Sequence, residues 1–218
     1  MTAIVTGAGR GIGLAVADRL QAEGHDVVRV DITPGEGILT ADVTDPEARA
    51  RIVAAAGPVD VLVNNAGITR DARIVKLTEE DFLAVIRVNL GAAYALTRAC
   101  TFNDGASVVS LASRAYLGNF GQFNYSASKG GLVGMTRALA LELAPRVRVN
   151  AIAPSLTASE MTAAIPEPVL RKLIAGIPLG RQAEPEEIAA TIAALAAPAT
   201  AYVTGQVLLA CGGRSLAP

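Results

Sequence analysis

Short runs of β-branched and aliphatic residues alternate with longer helical stretches along the whole chain, and that alternation leaves few folds open. Residues 3–6, 26–30, 60–63, 107–111, 147–152 and 206–209 read as strands, while residues 12–22, 46–55, 79–100, 126–143 and 185–196 carry a helical period. Strand and helix in strict alternation make right-handed βαβ units, so an α/β fold with a doubly wound parallel sheet and helices on both faces is expected. Ten residues separate Asp31 from Asp42, among them Pro34, Gly35 and Gly37, too few for a crossover helix. A loop leading to a short third strand at residues 38–41 is expected instead, which brings the Rossmann-like sheet to about seven strands.

No repeat, low-complexity tract or linker divides the chain, and 218 residues with 51% hydrophobic content suit one domain spanning 1–218. A net charge of −1 offers no basic surplus for a nucleic acid, and no basic amphipathic run points to a membrane surface. The N-terminus enters a strand at once without signal-peptide character, and no apolar run of about 18 residues follows. A cytoplasmic protein acting on small molecules is expected. Cys100 and Cys211 stand far apart and outside any C-x-x-C pattern, so neither a metal site nor a disulfide framework is expected. His25, the sole histidine, precedes the second strand and reads as a surface residue.

The chemistry gathers at the strand ends. Tyr125 and Lys129 are four residues apart at a helix start, hence one turn apart on one face. An ammonium group beside a phenol favours the phenolate and makes the tyrosine usable as a general acid or base. Gly7, Gly9, Gly11 and Gly13 form a glycine-rich turn between the first strand and the first helix, where backbone amides can meet a pyrophosphate. Asp31 ends the second strand, where a carboxylate accepts hydrogen bonds from the adenosine ribose hydroxyls and repels a 2′-phosphate, which argues for NAD over NADP. Arg10 argues weakly the other way, since an arginine in the turn can pair with that phosphate.

Three motifs then occur in a recognisable order. The glycine turn spaced G-x-x-x-G-x-G, the run Asn64-Asn65-Ala66-Gly67 and the pair Tyr125-x-x-x-Lys129 resemble the short-chain dehydrogenase/reductase family, over residues 2–213. Residues 65–71 and 118–125 are most similar to its 3-oxoacyl-[acyl-carrier-protein] reductase branch. The resemblance implies a catalytic set of Asn89, Ser113, Tyr125 and Lys129. In it Ser113 and Tyr125 hold the substrate oxygen, Lys129 lowers the tyrosine pKa and binds the nicotinamide ribose, and Asn89 bends its helix and holds a water that links the lysine to solvent. It implies cofactor contacts at Gly7, Arg10, Gly11, Ile12, Gly13, Asp31, Asp42, Val43, Asn65, Ala66, Gly67, Tyr125, Lys129, Pro154, Ser155 and Thr157. As bare residues, Asp42 serves equally well as a turn or cap and Ser113 as a turn former.

Departures from the family pattern matter too. Pro154-Ser155 stands where Pro-Gly is usual, so the side chain of Ser155 is expected to shift the ring or the substrate entrance. Cys211 replaces an aspartate. Residues 101–106 are short for the family, which bears on the homodimer or homotetramer expected of it. Residues 155–180 read as a helical lid, whose Ile165, Leu170, Leu173 and Ile177 suggest a partly apolar substrate.

The implied activity is reversible hydride transfer between NAD(H) and a secondary alcohol or ketone, with a 3-hydroxyacyl or 3-oxoacyl compound as one substrate class. Acyl-carrier-protein reductases commonly use NADPH, which Asp31 opposes. A catabolic dehydrogenase of cyclic or aliphatic alcohols, a dehydratase or epimerase working through a transient ketone, and a non-catalytic NAD-binding sensor or scaffold are the alternatives.

Overall fold

A computed structural model describes residues 1–216, except for the side chains of residues 160 and 161. The last two residues of the expected domain, 217 and 218, lie outside the described residues. Strands β1 (Thr2–Thr6), β2 (Asp26–Asp31), β3 (Ile38–Thr40), β4 (Val59–Asn64), β5 (Phe102–Leu111), β6 (Val147–Pro154) and β7 (Val207–Ala210) form one sheet. Every pairing is parallel and the order is β3-β2-β1-β4-β5-β6-β7. The chain steps outward from β1 in one direction and then returns to build the other half, so the crevice above β1 and β4 is the place where such sheets bind ligands.

Eight helices accompany the strands among the described residues: α1 (Gly11–Ala22), α2 (Pro46–Ala56), α3 (Glu79–Ile86), α4 (Ala93–Ala99), α5 (Phe123–Leu143), α6 (Glu160–Ala163), α7 (Glu167–Ala175) and α8 (Pro185–Ala196). The two-residue period of a strand sends neighbouring side chains to opposite faces. Val5 therefore joins Val16, Leu20, Ile188 and Ile192 in the core under α1 and α8, while its neighbour Ile4 joins Ile52, Leu96 and Leu139 in the core on the other face. Each fully buried aliphatic side chain of this size contributes about 1.5–3 kcal/mol. Local signals set the helix starts. Asp45 caps α2 by accepting from the amides of Glu47 and Ala48, ahead of Pro46 in the first turn, and Thr78 caps α3 by accepting from the Asp81 amide.

Several boundaries differ from those the sequence suggests, each for a local reason. The helix expected over residues 79–100 is interrupted by a π-helical stretch, Arg87–Ala92, which carries Asn89. α5 begins at Phe123, so Tyr125 sits in its first turn. The segment read as a lid holds two short helices, with Pro166 capping the second. β5 begins at Phe102 rather than at Ser107, because residues 102–106 belong to the sheet: Val59 pairs with Phe102 and Val61 with Ser107. The intervening residues bulge outward, with Gly105 at a φ of 84° and its amide donating to the Arg146 carbonyl at 2.8 Å.

Candidate active site

The ends of β1 and β4 are tied together by side chains. The Thr6 hydroxyl donates to the Val63 carbonyl at 3.3 Å and accepts from the amides of Asn65 and Ala66, each at 3.0 Å. Asn65 Nδ2 donates to the carbonyls of Thr6 and Gly7 at 2.8 and 3.0 Å. Asn65 thus holds the glycine turn in place. Gly7 needs its φ of 66°, and a Cβ on Gly13 would fall on the Gly7 carbonyl oxygen and within 2.5 Å of Asn65 Nδ2. The turn is compressed to backbone, leaving the N-terminal amides of α1 facing the cavity with their partial positive charge.

Asp31 closes this end of the site. Its two oxygens accept from the amides of Gly9 and Thr33, both at 2.9 Å, and a Cβ on Gly9 would sit 2.9 Å from the carboxylate. Asp42, farther along the sheet edge, accepts from the amide and hydroxyl of Thr44 at 2.8 Å. Val43 beneath it is buried.

The reactive end lies above β4, β5 and β6. Ser113 follows β5, accepts from the Ala115 amide at 3.1 Å and is hydrogen-bonded to the Tyr125 hydroxyl. Burial pushes the Tyr125 phenol above its ordinary pKa; the Ser113 bond pulls it down and the charge of Asp71 pushes it up. Lys129, only 3% exposed, donates from Nζ to the Leu111 carbonyl at 2.6 Å and lies 5.5 Å from the centre of the Tyr125 ring. Its burial lowers its pKa to about 8. The lysine is therefore seated on the strand end under the tyrosine ring, and the downward pull on the phenol comes from Ser113.

Asn89 uses its whole amide. Its oxygen accepts from the Ile68 amide at 2.8 Å, and its nitrogen donates to the Ile68 carbonyl and to Ser128 Oγ, both at 3.0 Å. Gly67 lacks the Cβ that would stand 3.2 Å from the Asn89 oxygen and 3.6 Å from Lys129 Nζ. The absent side chain leaves the lysine its place.

These pieces border one cavity of about 510 Å³. Gly7, Arg10, Ile12, Gly13, Asn65, Ala66, Gly67, Ser113, Tyr125, Pro154, Ser155 and Thr157 line it. Lys129 and Asn89 stand behind its lining residues Leu111 and Gly67, while Asp31, bonded to Gly9 of the glycine turn, and Asp42 and Val43 are not among the lining residues. Of the four apolar lid residues singled out in the sequence, Ile165 and Leu173 reach this cavity; Ile177 is buried under Gly212. Thr69, Asn119 and Gln122 also line the cavity, from the two stretches that resemble the 3-oxoacyl reductase branch but were given no role of their own, and Arg114 and Arg214 join them without any signal in the sequence. Gln122 donates to Asp71 at 2.7 Å and accepts from Asn119 at 2.7 Å, a chain of polar groups leading toward the tyrosine.

A family model described as enoyl-(acyl carrier protein) reductase matches residues 7–215. The crystal structure of a protein from Brucella melitensis, titled short-chain dehydrogenase/reductase and glucose/ribitol dehydrogenase, superposes with a TM-score of 0.92 at 33% identity, covering 98% of this chain and 96% of that one. The chain is a short-chain dehydrogenase/reductase. Among its relatives in this family are 3-oxoacyl-[acyl-carrier-protein] reductase FabG of Thermotoga maritima, 40% identical over 96% of both chains, and acetoacetyl-CoA reductase of Shinella zoogloeoides, 39% identical over 97% of both.

As a short-chain dehydrogenase/reductase it is an enzyme acting on a CH–OH group or the corresponding carbonyl with a nicotinamide cofactor. The residues present fit that cofactor. The glycine turn would collide with any added Cβ at Gly13, the α1 amides face the cavity, and Asp31 supplies a carboxylate beside Gly9. No helix among the described residues is long and apolar enough to cross a membrane.

Proposed function

We propose that the enzyme transfers a hydride reversibly between NAD(H) and a secondary alcohol or ketone, with 3-hydroxyacyl or 3-oxoacyl compounds as the leading substrate class. The observation that carries this reading is the contact of the Ser113 and Tyr125 hydroxyls on the cavity wall, with Lys129 buried one turn below. The nicotinamide ring supplies the hydride donor or acceptor. The chain supplies orientation and the proton.

At neutral pH the raised pKa keeps Tyr125 a phenol, so it donates a hydrogen bond to a carbonyl oxygen and delivers its proton as that oxygen gains charge. Ser113 is the second donor to the same oxygen, and the two together fix its position. Lys129 brings a positive charge toward the phenolate left behind, and Asn89 holds the turn at Gly67 and Ile68 through which the lysine pocket is shaped. Gly7, Arg10, Gly11, Ile12 and Gly13 would hold the pyrophosphate, Asp31 the adenosine ribose, Asp42 and Val43 the adenine, and Ala66, Gly67, Pro154, Ser155 and Thr157 the nicotinamide half.

Asp31 supports NAD: its carboxylate lies beside Gly9, where a 2′-phosphate would meet its charge. A homodimer or homotetramer in the cytoplasm accords with this reading, and exposed Ile74, Val75, Phe120 and Phe123 around one apolar groove support a second copy of the chain packing there.

The test is an initial-rate screen of alcohols and ketones with both the NAD and the NADP couples, run on the wild type and on Tyr125→Phe. Turnover with NAD is expected in the wild type. In the variant it should fall by at least a thousandfold (the order of general acid–base and oxyanion contributions combined) while NAD still binds. A variant that reduces ketones at near the wild-type rate would overturn the assignment of Tyr125.

A further inference from the structure

Positive charge gathers on the described wall of the cavity. Its described lining contains the arginines Arg10, Arg114 and Arg214 and no aspartate or glutamate. Arg10 belongs to the glycine turn at the cofactor end. Arg114 and Arg214 are at the other end, on segments far apart in sequence: Arg114 directly follows Ser113, and Arg214 follows the closing strand after Gly212 and Gly213, which pack against Ile177 and Pro178.

Among the described residues neither of these two arginines is paired. Among the described residues no carboxylate lies within ion-pairing distance of Arg114 or Arg214, unlike Arg19, Arg29, Arg70, Arg146, Arg171 and Arg181. Both are partly buried, and Arg114 Nε is fully shielded from solvent without a hydrogen-bond partner. The two guanidinium groups are close enough that the charge of Arg114 lowers the pKa of Arg214, after the larger effect of burial. The Cys211 thiol beside Arg214 is neutral, and only after losing its proton would it oppose that charge. The nearest carboxylate acting on the tyrosine, Asp71, is engaged by Gln122.

Two like charges brought together in a partly desolvated wall, with an orphaned N–H, are unfavourable by themselves. They become favourable when an anion bridges them, because each guanidinium offers a planar fork of donors matched to carboxylate and phosphate oxygens. Their place beside Ser113 puts that anion on the substrate, at the end away from the cofactor turn.

We infer that Arg114 and Arg214 form a subsite for a negatively charged substituent, a carboxylate or a phosphate, carried by the substrate close to its carbonyl or hydroxyl carbon. The inference rests on the reading of the Ser113–Tyr125 site as the place of carbonyl chemistry and sharpens its substrate class to acidic ketones and alcohols. Ile165 and Leu173 on the lid side of the cavity then face the uncharged part of such a molecule.

The experiment uses two matched pairs of ketone probes, titrated into the NAD-bound protein for affinity and reduced with NADH as the hydride donor for rates: acetoacetate against ethyl acetoacetate, and dihydroxyacetone phosphate against dihydroxyacetone. Calorimetry measures affinity and initial rates measure kcat/KM, on the wild type, Arg114→Gln, Arg214→Gln and Arg114→Lys, with NAD affinity as the control for folding. In at least one pair the charged member should bind ten- to a hundredfold tighter than its neutral analogue, as charge-assisted hydrogen bonds allow. Preference for acetoacetate identifies a carboxylate and preference for dihydroxyacetone phosphate a phosphate. Either glutamine variant should erase most of the preference and leave the neutral probe and NAD within about twofold, while Arg114→Lys retains part of it.

Equal affinity for charged and neutral members in both pairs, or a preference that survives both glutamine variants, overturns the subsite. Failure of the proposed activity looks different. The charged probe would still bind in an arginine-dependent way with no turnover of any probe, whereas a reductase lacking this subsite would turn over the neutral probes with no charge preference.

Discussion

Lys129 is a lysine that the fold holds at a cost, and its titration should be visible in the stability of the protein. Its pKa falls from the ordinary 10.5 to about 8 through burial. Below pH 8 both folded and unfolded chains carry the proton. Between pH 8 and 10.5 the unfolded chain still binds the proton that the folded chain has released, so raising the pH favours the folded state; above 10.5 both are neutral and the effect saturates. The full gap corresponds to about 3 kcal/mol, and the portion accumulated between pH 7 and pH 9.5 to about 2 kcal/mol. Lys129→Met removes the titration and keeps the apolar stem. It also loses the hydrogen bond to the Leu111 carbonyl, a deficit of about 1–3 kcal/mol that does not vary with pH. Urea unfolding of both proteins at one concentration across this pH range isolates the difference. Wild-type stability should rise relative to the variant by about 2 kcal/mol from pH 7 to pH 9.5. Parallel stability profiles, or a relative fall, would refute the account of Lys129 as a desolvated cation.

Gly13→Ala forces a methyl group onto the Gly7 carbonyl oxygen, so it should cost about 3 kcal/mol or more in thermal or urea unfolding and abolish cofactor binding measured by fluorescence titration. Asn89→Ala leaves the Ile68 amide and carbonyl without their partners; a loss of about 2–4 kcal/mol is expected in urea unfolding, with Asn89→Asp restoring only the acceptor side. Asp31→Asn should shift the ratio of kcat/KM for NAD over NADP toward NADP by about tenfold through loss of one charge near the 2′ position; a ratio unchanged within about twofold would remove Asp31 from the discrimination.

Much of the fold was legible because strand and helix periods differ and each change of period coincided with glycine, proline or a capping residue. The short crossover from Asp31 to Asp42 followed from chain length and local chemistry alone. What the pattern could not reveal was tertiary. Residues 102–106 carry Asn103, Asp104 and Gly105, poor strand formers, yet pairing with Val59 and Val147 draws Phe102 and Ala106 into the sheet. The π-helical stretch at Asn89 has no signature in a helical period, since it arises from a side chain bonding to a distant turn. In the site, Tyr125, Lys129, Ser113 and the glycine turn were visible as spacings at strand ends. The direction of the Tyr125 shift was not, because four residues of helical spacing place Lys129 near the ring without saying that its ammonium group turns to the Leu111 carbonyl. Arg114 and Arg214 were invisible for the same reason: a hundred residues apart in sequence, they meet only when β5 and β7 lie in one sheet with β6 between them.

The π-helical stretch makes the segment between α3 and α4 a counting device. A π-helical turn holds one residue more than the α-turn it replaces, and each residue advances an α-helix by about 100°, so a turn that straightened to ordinary helix while keeping all its residues would swing everything after it by roughly that angle. Leu96 would leave the core, and Thr97 would abandon the Asn64 side chain that donates to it at 3.0 Å. The bulge thus absorbs one residue in a stretch that looks, residue by residue, like an unremarkable helix, and the phase of α4 is as much a part of the site as the asparagine that the bulge carries.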